Sequence, residues 1–79
     1  MYRVQTEKGE TPNNYITVTN KGKDLIRITF VPNGWTGEPC LRFQAQDENG
    51  RLLQGPEFSA AKLGELMLAA TKLILASES

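Results

Sequence analysis

The sequence predicts an α+β domain: a four-stranded antiparallel meander sheet followed by one C-terminal helix packed on its apolar face. Three observations predict it. Four segments between Tyr15 and Gln54 have the alternation or the β-branched content of strands. Turn-forming residues separate them at short intervals, as hairpin connections require. The last third, Ser59 to Ser79, changes period and places its apolar residues at helical spacing.

The first segment is the least regular. Tyr2 and Val4 alternate with Arg3 and Gln5 as a short strand would, and Lys8 to Asn14 is polar and turn-rich. Residues 1–14 are therefore expected as an N-terminal segment, an edge strand or mobile, ahead of a single α+β domain over 15–79. Tyr15-Ile16-Thr17-Val18-Thr19 is a strand with Ile16 and Val18 on one face and Tyr15, Thr17 and Thr19 on the other. Asn20-Lys21-Gly22-Lys23 is a hairpin turn, where Gly22 can take a positive φ. Leu25 to Val31 returns with Ile26, Ile28 and Phe30 sharing a face.

A loop bounded by Pro32 and Pro39 holds the only tryptophan, Trp35. Cys40 to Gln46 is the third strand, with Leu41, Phe43 and Ala45 opposed to Arg42, Gln44 and Gln46. Asp47-Glu48-Asn49-Gly50 is a tight turn, and Arg51 to Gln54 is the fourth strand, ended by Gly55-Pro56. Ser59 is the expected N-cap of the helix, with Phe58 before it as a staple against Leu63. The helix is expected to run to about Ala76.

That helix carries two stripes. Leu63, Leu66, Met67, Ala70, Leu73 and Ile74 form one, suited to covering the sheet. Ala61, Gly64, Leu68, Thr71 and Leu75 form a second, narrower stripe. In a monomer the second stripe would face water, so Gly64, Leu68, Thr71 and Leu75 are expected at a homodimer interface. Gly64 costs about 1 kcal/mol relative to alanine inside a helix, which a closely packed neighbouring backbone would explain.

Size agrees with pairing. A chain of 79 residues buries a small core and commonly needs a disulfide, a metal or a partner. One cysteine and no histidine exclude an internal disulfide and argue against a zinc site, leaving association. The same composition argues against an enzyme. There is no imidazole base, and Cys40 has no sequence neighbour to activate it; it reads as a small apolar residue. Neither a metal nor any other cofactor is expected. Asp47 and Glu48 lack the ligand spacing of a calcium loop, and Gly34 and Gly37 lack the Gly-Lys-Ser/Thr of a phosphate loop. The polar start, the short apolar run and the unpaired thiol imply no membrane partner and a cytoplasmic location.

The outer sheet face is the binding candidate. It gathers the cations Arg27 and Arg42, the Tyr15 ring, the amides of Gln44 and Gln46 and several threonines. Lys21 and Lys23 flank it in the hairpin turn, Arg51 approaches from the fourth strand, and Trp35 could stack on an exposed base. The acidic residues are expected elsewhere: Glu7 and Glu10 near the start, Asp47 and Glu48 in a distant turn, Glu57, Glu65 and Glu78 near or on the helix. Such segregation would let a chain of zero net charge present a basic patch. A solvated polar face, with Trp35 as a loop anchor, explains the same residues without a ligand.

The order of elements bears on that choice. Tyr15 through Phe30, with its alternating strand, Lys-Gly-Lys turn and alternating isoleucines, resembles the opening hairpin of the positive-cofactor-four family of transcriptional coactivators. These are single-stranded DNA-binding domains related in fold to the Whirly proteins. The later Asp47–Gly50 turn, short strand and terminal helix follow the same plan. The resemblance covers Tyr15 to Ile74 as an arrangement, and is residue by residue only in the hairpin. It implies a curved four-stranded sheet, a dimer paired through helices, and single-stranded DNA held across the strands. Lys21, Lys23 and Arg27 are the residues it carries over, with Trp35, Arg42 and Arg51 less directly. The Pro32–Pro39 loop and the low basicity depart from the family. The expected function is sequence-tolerant binding of single-stranded nucleic acid (DNA or RNA) with a transcription-regulatory role. The alternative is a small protein–protein interaction module without nucleic-acid binding.

Overall fold

A computed structural model of the chain describes residues 2–10, 12–34 and 37–78. The fold is α+β, an antiparallel sheet followed by one C-terminal helix. Strands β1 (Gln5–Thr6), β2 (Asn14–Lys21), β3 (Asp24–Val31), β4 (Cys40–Gln46) and β5 (Glu57–Ser59) lie side by side in chain order. Every neighbouring pair is antiparallel. A 3₁₀ turn, Ala60–Lys62, leads into helix α1 (Leu63–Glu78).

The central three strands follow the alternation of the sequence. Ile16 pairs with Ile28 and Ile28 with Phe43; Val18 pairs with Ile26 and Ile26 with Ala45. These side chains share one face, together with Phe30, Leu41 and Phe58. The other face carries two rows in register: Tyr15, Thr29, Arg42 and Glu57, then Thr17, Arg27 and Gln44. The β2–β3 hairpin closes with Lys21 opposite Asp24, after an irregularity between Thr19 and Lys21. Gly22 holds φ at +60°, which a side chain would disfavour at the turn.

The sheet has five strands where the sequence predicts four. The extra one is the two-residue edge strand β1. The return after the Asp47–Gly50 turn also differs. Arg51–Gln54 makes only an isolated bridge, Leu52 to Gln46, and the strand proper is Glu57–Ser59. Between them the chain stays against β4, with Leu53 N–H donating to the Ala45 carbonyl and Phe43 N–H to the Pro56 carbonyl. Gly55-Pro56 is thus an interruption inside the returning segment, not its end. Phe58 accordingly belongs to β5 and its ring lies against Phe43, away from the predicted staple role. Ser59 precedes the 3₁₀ turn but makes no side-chain cap bond.

The larger difference is the placement of α1. The sequence predicts that one stripe covers the sheet, yet no residue of α1 is buried within the chain. Leu73 is 68% exposed and Leu75 63% exposed, although they belong to different stripes. The cause lies in the connection. Strand β5 is the last strand of the sheet, and the 3₁₀ turn continues it directly, leaving no loop to swing the helix back over the apolar face.

The exposed helix leaves a groove of about 480 Å3 on that face, lined by Tyr2, Val4, Ile16, Ile28, Phe30 and Leu41 among others. Among the described residues the fully buried side chains are instead Thr29 and Cys40, on the polar side. The accessible surface is 6463 Å2. A compact monomer of 8.8 kDa would expose about 4,800 Å2. The radius of gyration, 14.0 Å, likewise exceeds the roughly 11.6 Å expected for this length.

Candidate nucleic-acid interface

The polar sheet face brings together three of the residues singled out in the sequence: Tyr15, Arg27 and Arg42. Alternation alone puts them on one side, and the register places Tyr15 and Arg42 in one row with Thr29 between them. Arg27 sits in the next row and leans over Tyr15, its Cζ 3.6 Å from the ring centroid. This is a cation–π contact, which holds the guanidinium over the face of the ring. The Tyr15 hydroxyl donates to Gln5 Oε1 at 3.3 Å.

Both arginines already have carboxylate partners. Arg27 Nη2 donates to Glu7 Oε2 at 2.9 Å, and Arg42 Nε donates to Glu57 Oε2 at 3.1 Å. The expected segregation of charge is therefore wrong on this face. Glu7 arrives through β1 and the residue after it, and Glu57 arrives through β5, where it pairs directly with Arg42. These contacts span 20 and 15 residues of sequence, so no local pattern announces them. The only available signal is that Gln5 and Glu7 are two apart, and it has meaning only once β1 is known to pair Gln5 with Tyr15.

Lys21 and Lys23 lie exposed at the tip of the β2–β3 hairpin, and neither takes part in an ion pair among the described residues. Arg51 is also exposed and outside the ion pairs. Leu25 pairs with Gln46, so the Asp47–Gly50 turn stands at the same end of the sheet as the hairpin tip. This brings Arg51 toward Lys21 and Lys23, and also brings Asp47 and Glu48, which the sequence predicts in a distant turn. The turn is stiffened by Asp47 Oδ1, which accepts from the N–H groups of Asn49 and Arg51. Trp35 lies outside the described residues, so its expected role has no structural counterpart here.

A notch adjoins the same face beside Arg42, lined by Gln44, Leu52, Gln54, Gly55 and Glu57. Cys40 lies at the start of β4, 1% exposed, with its thiol donating to the Glu38 carbonyl at 3.2 Å. Among the described residues no group of three or more His, Cys, Asp or Glu side chains is placed to hold a metal ion. Among those residues, too, no helix is long and apolar enough to cross a membrane.

The four residues expected at a dimer interface share the exposed helix. Nothing lies within 4 Å of a Cβ built on Gly64. Thr71 donates its hydroxyl to the Met67 carbonyl at 2.8 Å, one turn back, which satisfies the polar atom within the helix. Leu68 and Leu75 are more than half exposed. No family model, curated protein or solved structure matches the chain.

Proposed function

We propose that the chain binds single-stranded nucleic acid, DNA in the first instance, as a homodimer with a regulatory role in transcription. The observation that carries the reading is the polar face itself. Its arginines, aromatic ring and side-chain amides stand in register on the sheet, and two lysines outside the ion pairs of the described residues lie exposed beside them. Cations serve the phosphates and a ring or guanidinium plane serves the bases, so the mode is tolerant of sequence. The likeness of Tyr15–Phe30 to the positive-cofactor-four hairpin supports the same reading and is the source of the transcriptional role.

The homodimer rests on complementarity. One chain leaves a bare apolar groove and a bare apolar helix that do not meet each other. In a two-fold pair the stripe of Leu63, Leu66, Met67, Leu73 and Ile74 would cover the partner's groove. The Gly64, Leu68, Thr71 and Leu75 stripe would meet its own copy. Isolated helices of about this length are marginal in water, so α1 needs such a contact to persist. The surface beyond that of a compact monomer is about 1,700 Å2 per chain, or about 3,400 Å2 for a pair, within the range of obligate dimers.

A protein-interaction module is the second reading, favoured by the carboxylates already seated on Arg27 and Arg42. Titration of short DNA and RNA strands at low salt separates the two. Binding that weakens steeply with salt is the expected result. Absence of binding to either strand would leave the interaction module.

A further inference from the structure

Arg27 is held in an incomplete way. Its side chain is 15% exposed, one edge nitrogen meets Glu7, and its Nε is buried with no acceptor. In a guanidinium, Nε–H and the outward N–H of Nη2 lie parallel on one edge. A carboxylate or phosphate approaching that edge squarely takes both, the strong bidentate arrangement. Glu7 offers one oxygen to Nη2 and leaves Nε unserved, a buried donor without its hydrogen bond.

The segment that delivers Glu7 is weakly fixed. Strand β1 is two exposed residues at the sheet edge. It is held by the pairs Gln5–Tyr15 and Thr6–Asn14, by Glu7 N–H donating to the Asn13 carbonyl, and by a few side-chain bonds. Glu57 differs, because its backbone is paired opposite Arg42 within β5, the strand that leads to α1.

Building on the nucleic-acid reading above, we propose that the Glu7 carboxylate stands in for a backbone phosphate on Arg27, making the N-terminal strand a removable plug over one phosphate subsite. An incoming phosphodiester displaces Glu7 and takes both Nε–H and Nη2–H. Arg27 stays stacked on Tyr15, and departure of Gln5 releases the Tyr15 hydroxyl. The plug therefore sets how many phosphates the face engages, and anything that binds residues 2–10 raises affinity for the strand.

The test is titration of a labelled single-stranded oligothymidine across a salt series. The proteins are the full chain, Glu7→Gln, Glu10→Gln, and Glu7→Gln combined with Arg27→Gln. Glu10 is an exposed carboxylate of the same segment outside the ion pairs, so its variant reports net charge alone. Glu7→Gln is expected to bind about threefold to tenfold more tightly at low salt. Its log K should fall more steeply by about 0.7 per log unit of salt, one added phosphate contact. Glu10→Gln should change less, and the gain should vanish when Arg27 is also replaced. Binding by Glu7→Gln equal to that of the native chain or of Glu10→Gln overturns the plug and leaves the nucleic-acid reading standing. No binding by the native chain or Glu7→Gln overturns both.

Discussion

Phe43 and Phe58 meet edge to face, with ring centroids 5.8 Å apart and planes at 67°. The contact ties β5 to β4 on the apolar side, at the strand from which the helix departs. It is an aromatic contact made by the strand that leads directly to α1. Phe58→Ala should therefore lower stability by about 2 kcal/mol, less than for a fully buried ring because Phe58 is partly exposed. Phe58→Leu keeps most of the apolar area and loses the ring pair, at about 1 kcal/mol. Urea unfolding followed by circular dichroism measures both, and equal costs for the two variants would remove the ring geometry from the explanation.

Gly55 makes a second packing prediction. A Cβ there would run into the Phe43 carbonyl, a backbone atom that cannot move without disturbing β4. Gly55→Ala is expected to destabilise by about 1–3 kcal/mol, the range of overpacked sites. Gly64→Ala has open space within the chain and better helix propensity, so a monomer would gain about 1 kcal/mol. Within a helix seam the added methyl holds the two backbones apart instead. The expected result is a weakened dimer, read as a larger dissociation constant in sedimentation equilibrium. Unchanged or tighter association of Gly64→Ala would place Gly64 outside the seam.

Leu68→Glu puts a charge in the middle of the same stripe. Sedimentation should show monomers or aggregates in place of the dimer. The native chain should also melt at lower temperature on dilution, because folding and association are linked. A melting temperature independent of concentration, together with an unaltered Leu68→Glu dimer, would count against the seam.

Lys21 and Lys23 are the unpaired cations at the hairpin tip, free of the carboxylates that occupy Arg27 and Arg42. Replacing both by alanine should weaken oligonucleotide binding and make the salt dependence shallower by about 1.4 in log–log slope, two single-strand phosphate contacts. Stability should hardly change, since both side chains are exposed. An unchanged dissociation constant would take the hairpin tip out of the interface.

The sequence by itself determined the fold class, the antiparallel order and the sidedness of the central strands. These follow from local rules: period-two alternation from Tyr15 to Gln46, turn residues at Lys21–Lys23 and Asp47–Gly50, and helical period after Ser59. It placed Tyr15, Arg27 and Arg42 on one face for the same reason. Only the tertiary structure decided what surrounds them. Glu7 and Glu57 reach the arginines through strand pairing across long stretches of chain, and spacing in sequence carries no record of such contacts. Tertiary structure also decided that α1 continues off the edge strand and leaves the sheet's apolar face bare. Apolar periodicity states that a surface must be covered, while the length and direction of the connection decide whether the covering comes from the same chain.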